Sequence, residues 1–123
     1  TGVIMNQQTV DIFNPKTIRA TMGSIFRVPF VYMSELSPVL TQMHERGIHT
    51  YAAHLKGQKY YDSFSFREPT AFLIGNEGNG LTKEISDQAG QYLKIPMEGK
   101  VESLNASIAA ALLMYEAHRQ RNL

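Results

Sequence analysis

Apolar and polar positions fall in short blocks along this chain of 123 residues. Gly2–Met5, Ala71–Ile74 and Tyr92–Ile95 are mostly apolar runs of four residues, and Ile48–Ala53 reads as a further strand of six. Such runs are too short for a helix and suit a buried strand. Helical spacing lies between them. Asn14-Pro15 opens a helix, with Asn as N-cap and Pro at the first helical position. Ile18 and Met22 are expected to turn inward, and Gly23 to end it. Ser34 is placed to cap a second helix, in which Leu36, Val39, Leu40 and Met43 share one face before Gly47. A short helix is predicted from about Thr82 to Gly90. The closing helix starts near Asn105, with Ile108, Ala111, Leu112 and Tyr115 as its apolar stripe. Ala106, Ala109 and Ala110 keep its neighbouring faces slim. Phe26–Tyr32 favours β structure but is interrupted by Pro29, so it reads as an edge piece or a loop. Tyr60–Phe66 is ambiguous: it alternates loosely, as a strand would, but could equally be a loop with aromatic anchors.

Strands that alternate with helices predict an α/β fold, with a mostly parallel sheet covered by helices on both faces. There is no repeat, low-complexity tract or linker, so residues 1–123 read as one domain. Two strands empty into irregular loops, Gly75–Gly80 and Pro96–Ser103. Loops at the carboxyl ends of parallel strands form the crevice in which open α/β sheets bind ligands. Gly75 and Gly80 have the spacing of a phosphate-binding loop, but Leu81 and Thr82 stand where Lys and Ser/Thr are required. Glu77 also sits mid-loop and would repel phosphate. A ligand with a cationic centre or neutral polar edges suits this loop better. The plain alternative is a tight turn that needs glycine only for positive φ.

Composition narrows the partners. Apolar residues make up 43% of the chain, ordinary for a globular protein. No Cys is present, which excludes disulfides and thiolate-rich zinc sites and points to a reducing compartment, the cytoplasm. His44, His49, His54 and His118 have no metal-ligand spacing, so no metal is expected. No apolar run approaches the roughly 20 residues of a membrane helix. The net charge of +1 does not announce a nucleic-acid binder, so bound RNA would need local basic patches. Lys16, Arg19 and Arg27 form one candidate patch, and Arg119 and Arg121 another. Arg119 and Arg121 equally suit the negative end of a helix dipole.

Two motifs carry a specific resemblance. IGNEGNGL, at 74–81, is followed by IPMEGKVESLNAS, at 95–107, and an alanine-rich helix ending YEAHRQR. Together these resemble the second motif (Leu73–Leu81) and third motif (Ile95–Ala109) of the SpoU (TrmH) family of RNA ribose 2′-O-methyltransferases, in the SPOUT superfamily. The run DIFNPKTIRATMGSIFRVP resembles the family segment between its first and second motifs. The resemblance covers nearly the whole chain. It implies a SPOUT fold whose carboxyl-terminal segment is tucked through a loop as a trefoil knot, although threaded chains are otherwise almost absent. It further implies a homodimer paired through the knotted region, with structured RNA, rRNA or tRNA, as substrate.

The cofactor implied is S-adenosylmethionine, which carries a sulfonium and no phosphate. The resemblance places it between the two motif loops, facing Gly75 and Asn76, then Ile95, Met97 and Leu104, with Ala53 from the preceding strand. Backbone groups and apolar walls there would hold the adenine. Transfer to a ribose 2′-hydroxyl is an in-line displacement that needs proton removal and collinear positioning. Glu77 and Asn105 match family residues that support the active centre, and Ser103 matches one beside the cofactor. Ser103 and Asn105 could equally cap the last helix, and Glu77 could accept backbone N–H bonds. Arg119 and Arg121, late in the closing helix, could meet RNA phosphate or the partner chain.

The family's first motif, an asparagine-glycine run with an arginine, would lie before Thr1. The sequence therefore resembles a catalytic domain without its amino-terminal part. Two alternatives remain at this stage. One is a cofactor-binding, dimer-forming fragment without catalysis; the other is an unrelated doubly wound nucleotide binder.

Overall fold

The computed structural model describes all of residues 1–123. It comprises two compact units, Thr1–Leu36 and Ser37–Leu123. Every strand pair in both is parallel, as expected of an α/β chain.

In the first unit, strands β1 (Val3–Asn6) and β2 (Phe30–Met33) pair in register Val3 to Phe30. Helix α1 (Pro15–Ala20) lies between them in sequence. The Asn14 side chain accepts the Lys16 amide at 3.0 Å, and Pro15 occupies the first turn, where its missing N–H costs nothing. Pro29 interrupts the Phe26–Tyr32 run as expected: Ser24–Phe26 is a 3-10 turn, and β2 begins just after Pro29 as an edge strand paired with β1 alone. One expectation needs correction here. Met22 does not turn inward: α1 ends at Ala20, Met22 takes φ +50°, and its side chain is 84% exposed.

The second unit is a three-stranded sheet in the order β4-β3-β5, where β3 is His49–Ala53, β4 is Thr70–Leu73 and β5 is Gln91–Leu93. Helices are α2 (Ser37–Glu45), α3 (Lys83–Gln88) and α4 (Ala106–Asn122). α2 starts at Ser37 and not after Ser34. Leu40 is its buried residue.

Side chains alternate across a strand, so Tyr51 and Ala53 share one face with their register partners Phe72 and Leu93. Leu113 and Ala117 of α4 cover that face, together with Phe66, to form the core. Phe66 is fully buried and meets Tyr51 and Phe72 edge-on, with centroids 5.1 and 5.0 Å apart. The opposite face holds buried Thr50, whose hydroxyl oxygen lies 2.8 Å from His44 Nε2 on α2 and accepts the Gly90 amide at 2.7 Å. Helices therefore stand on both faces. Of the two readings of Tyr60–Phe66 the loop is the one found, with one 3-10 turn at Tyr61–Ser63.

The inward stripe of α4 differs from the expected one. Leu113 is fully buried, whereas Ile108 and Tyr115 are 53% and 75% exposed. The helix is apolar around much of its circumference, so spacing alone does not single out the face that meets the sheet. Its last turn is stapled by polar groups. Gln120 accepts the Phe66 amide at 2.7 Å and donates to the Phe64 carbonyl at 2.9 Å. Arg121 donates to the Phe66 and Glu68 carbonyls at 2.8 and 3.0 Å.

Candidate functional site

Parallel pairing puts the carboxyl ends of β3, β4 and β5 on one edge of the sheet. Three loops leave that edge: 54–60, 74–82 and 94–105. The strand ends fall slightly earlier than the sequence suggests, so Ile74 and Ile95 belong to the loops.

The loop after β4 is a closed turn. The Gly80 amide donates to the Asn76 carbonyl at 2.7 Å. The Asn76 side chain accepts the Gly78 amide at 2.7 Å, so its oxygen is engaged inside the loop. Gly75 needs space rather than positive φ: a Cβ there would collide with the Gly80 carbonyl carbon and the Leu81 amide nitrogen, 2.7 Å from Gly80 Cα. Positive φ belongs to Gly80, at +64°. Thr82 then caps α3 by accepting the Ile85 amide at 3.3 Å.

The loop after β5 ends at Asn105, and this side chain joins the two motifs. Its oxygen accepts the Ser107 amide at 2.9 Å and so caps α4. Its Nδ2 donates to Glu77 Oε1 at 2.7 Å. Capping and contact with Glu77 are thus two uses of one carboxamide. Ser103 is exposed and does not cap the helix. Ile95, Met97 and Leu104 are half-buried, as are Ala53 and Gly75. The glycine loop holds one carboxylate, Glu77, and neither Lys nor Arg.

The loop after β3 grips the end of β5 from both edges. The His54 amide donates to the Leu93 carbonyl at 2.9 Å. On the other edge, the Lys94 amide donates to the Lys59 carbonyl and the Tyr61 amide to the Lys94 carbonyl, both at 2.9 Å. A Cβ on Gly57 would come within 2.8 Å of the Leu93 carbonyl carbon, so the loop lies flush against the strand. The His54 ring stacks on Tyr92 with centroids 4.5 Å apart, and the Tyr92 hydroxyl donates to Asp87 at 3.0 Å. Sequence reading gives His54 no specific role and misses this grip. Parallel pairing between distant segments leaves no local signal.

The arginines are not gathered with these loops. Arg119 makes two hydrogen bonds to Glu116, at 2.8 and 2.7 Å, and Arg121 is taken up by backbone carbonyls. The Arg119 guanidinium, with the Gln120 amide, pulls the Glu116 carboxyl down to about 2. Two concave surfaces lie apart from the loops. One, of about 280 Å³, is at the amino edge of the sheet beside His44 and Thr50; the other, of about 470 Å³, runs along the end of α4 beside Leu112 and Tyr115.

A parallel α/β sheet with a glycine loop and a second loop bridged by Glu77 and Asn105 defines a ligand-binding domain of the open-sheet class. The chain belongs to the SpoU rRNA Methylase family, whose sequence profile matches residues 1–115. Among curated relatives, it is 33% identical over 121 residues to the TrmH family tRNA/rRNA methyltransferase YacO of Bacillus subtilis, covering 98% of this chain and 49% of YacO. Among solved structures, it superposes with a TM-score of 0.89 and 34% identity on the SpoU methyltransferase AviRb from Streptomyces viridochromogenes in complex with AdoMet. That match covers 98% of this chain and 47% of AviRb. An RNA 2′-O ribose methyltransferase matches with a TM-score of 0.85 and 33% identity, over 100% of this chain and 47% of its own. The chain spans about half the length of the curated relatives it matches.

Proposed function

We propose that this chain binds S-adenosylmethionine at the carboxyl edge of its three-stranded sheet and takes part in methyl transfer to a ribose 2′-hydroxyl of rRNA or tRNA. The observation that carries this is the 2.7 Å bond between Asn105 and Glu77, which joins both motif loops at the carboxyl edge of the sheet. The donor set fits the cofactor. Glu77 offers a carboxylate to a ligand with a sulfonium and an ammonium, and the glycine loop has no cation for a polyphosphate. Half-buried Ile95, Met97 and Leu104 offer apolar walls to a purine. The AdoMet complex of AviRb, a similar structure, supports the same reading.

The bound donor supplies an electrophilic methyl group. The protein's own part is positioning. Gly75 lets the loop close on itself, and Asn105 fixes the orientation of Glu77. Glu77 Oε2 has no partner within the chain and is available to a hydroxyl or ammonium donor. Ser103, two residues before Asn105, is exposed and free to contact ligand.

The grip of residues 54–61 on both edges of Leu93–Lys94 supports a threaded carboxyl-terminal segment, the trefoil knot. Tyr115, which lines the groove at the end of α4, and exposed Ile108 in the first turn of the same helix support pairing with a second copy. Contact of Arg119 with RNA requires that it leave Glu116; contact of Arg121 requires that the Phe66–Glu68 loop open.

Calorimetric titration tests the proposal. S-adenosylhomocysteine is expected to bind, ATP is not, and Gly75→Ala should weaken binding at least tenfold while circular dichroism stays unchanged. Tighter binding of ATP would end the methyltransferase reading. Transfer of a labelled methyl group to RNA, with the product resistant to alkali at the modified ribose, tests the reaction. Binding without transfer would favour the non-catalytic alternative.

A further inference from the structure

The first unit carries an apolar, cationic knuckle that the cofactor site leaves unexplained. Between Thr21 and Val28 the backbone folds into consecutive turns. The Ser24 amide donates to Thr21 at 2.9 Å, Phe26 to Gly23 at 3.2 Å, and Arg27 and Val28 to Ser24 at 2.9 and 2.8 Å. These bonds hold the knuckle rigid, yet its two largest apolar side chains point away from the protein. Phe26 is 86% exposed, and Met22 is exposed to a similar degree from a positive-φ backbone. Neither makes an aromatic contact within the chain. Met22 and Phe26 stand on one turn beside charged side chains, and exposed apolar patches with a polar rim mark interaction sites.

Charge decides what the cover is. Between Ile12 and Ser34 the three charged side chains, Lys16, Arg19 and Arg27, are all positive. Lys16 and Arg19 stand three residues apart on one face of α1, and all three are exposed and outside any ion pair. The Arg27 guanidinium lies back over the knuckle, with Nη2 3.5 Å from the Met22 carbonyl. An apolar protein partner would gain nothing from three cations without a carboxylate among them. A polyanion whose units also carry flat apolar faces uses both features. Single-stranded nucleic acid combines phosphates with stackable bases in this way.

We propose that the Met22–Arg27 knuckle docks an unpaired base of the RNA substrate, with the base stacked on Phe26 and flanked by Met22, while Lys16, Arg19 and Arg27 hold the adjoining phosphates. This rests on the RNA reading given above and moves the principal RNA contact from the carboxyl-terminal arginines to the first unit. Lys16 and Arg19 have no side-chain partner and Arg27 has one bond of 3.5 Å, whereas Arg119 and Arg121 each make two bonds of 2.7 to 3.0 Å.

The chain contains no Trp, so Phe26→Trp installs a lone fluorophore on the knuckle. Titration of that variant with a single-stranded RNA 12-mer should quench the indole emission. A 12-bp RNA duplex of the same sequence should quench it at least fivefold less at equal concentration. By fluorescence anisotropy, Phe26→Ala should weaken binding of the labelled 12-mer at least fivefold, since base stacking on an aromatic ring contributes that much or more. Replacing Lys16, Arg19 and Arg27 together by Ala should lower the slope of log affinity against log salt by about 2. S-adenosylhomocysteine binding should be unchanged in all variants. Unchanged RNA affinity in Phe26→Ala, with RNA still bound, would overturn the knuckle and leave the methyltransferase reading standing. No RNA binding by the wild-type chain would remove both. A change of oligomeric state in Phe26→Ala, with no effect on RNA, would assign the knuckle to a second copy of the chain and overturn the proposal.

Discussion

Asn105 shows how one side chain does two things. Its oxygen caps α4 and its nitrogen reaches Glu77 across the two motif loops. Asn105→Ala should therefore cost about 2 kcal/mol of stability, about half through the lost cap and half through the lost bond to Glu77. Glu77→Ala leaves the cap intact and should lose only that bond, about 1 kcal/mol. A double-mutant cycle on Glu77 and Asn105, read by urea unfolding, should show a coupling of about 1 kcal/mol, the scale of a charge-assisted bond in an exposed setting. Additivity within about 0.3 kcal/mol would mean that the bond does not hold the loops together in solution. Glu116 supplies a pH dependence. Its carboxyl is held at about 2 by Arg119 and Gln120, below its ordinary 4.5. A depressed carboxyl contributes stability above its unfolded value and loses it as pH falls. Wild type should therefore lose stability between about pH 4.5 and 2. Glu116→Gln should flatten that part of an acid-unfolding profile, and an unaltered profile would remove Glu116 as the cause. Both residues were visible in the sequence, Asn105 as a motif member and Glu116 only as one of many helical acids. Nothing local showed that Gln120 and Arg119 converge on Glu116.

At the scale of elements, helix starts were legible where a cap and a proline coincide, as at Asn14-Pro15, or where a motif ends in Asn105. Capping is a local hydrogen bond, so the sequence carries it directly. The orientation of α4 was not legible. Alanine and aliphatic residues surround the helix, and the sheet selected Leu113 and Ala117 from several apolar rows. Leu113→Ala should cost about 3 kcal/mol, because it empties a fully buried position in the core. Replacing Ile108 and Tyr115 together by Ser should leave the monomer's stability nearly unchanged. It should instead shift the mass measured by light scattering towards the monomer, if α4 is the surface that pairs. A loss of stability equal to that of Leu113→Ala would show that the exposed stripe also supports the monomer fold.

At the scale of the molecule, the order of strands and helices predicted parallel pairing, and the pairing is parallel throughout. Two motifs in the right order led to the SpoU family, which the family profile independently matches. The sequence by itself determined these things because they depend on local chemistry: apolar runs of strand length, caps, glycines at crowded turns, and side chains that a loop needs for its ligand. Tertiary structure alone decided which face of α4 is buried, that Glu77 meets Asn105, that residues 54–61 hold Leu93–Lys94 by both edges, and that Arg121 serves backbone carbonyls while Phe26 stands in solvent. Each of these joins residues far apart in the chain or depends on what lies opposite. Such contacts are fixed only when the sheet closes and the helices settle on it.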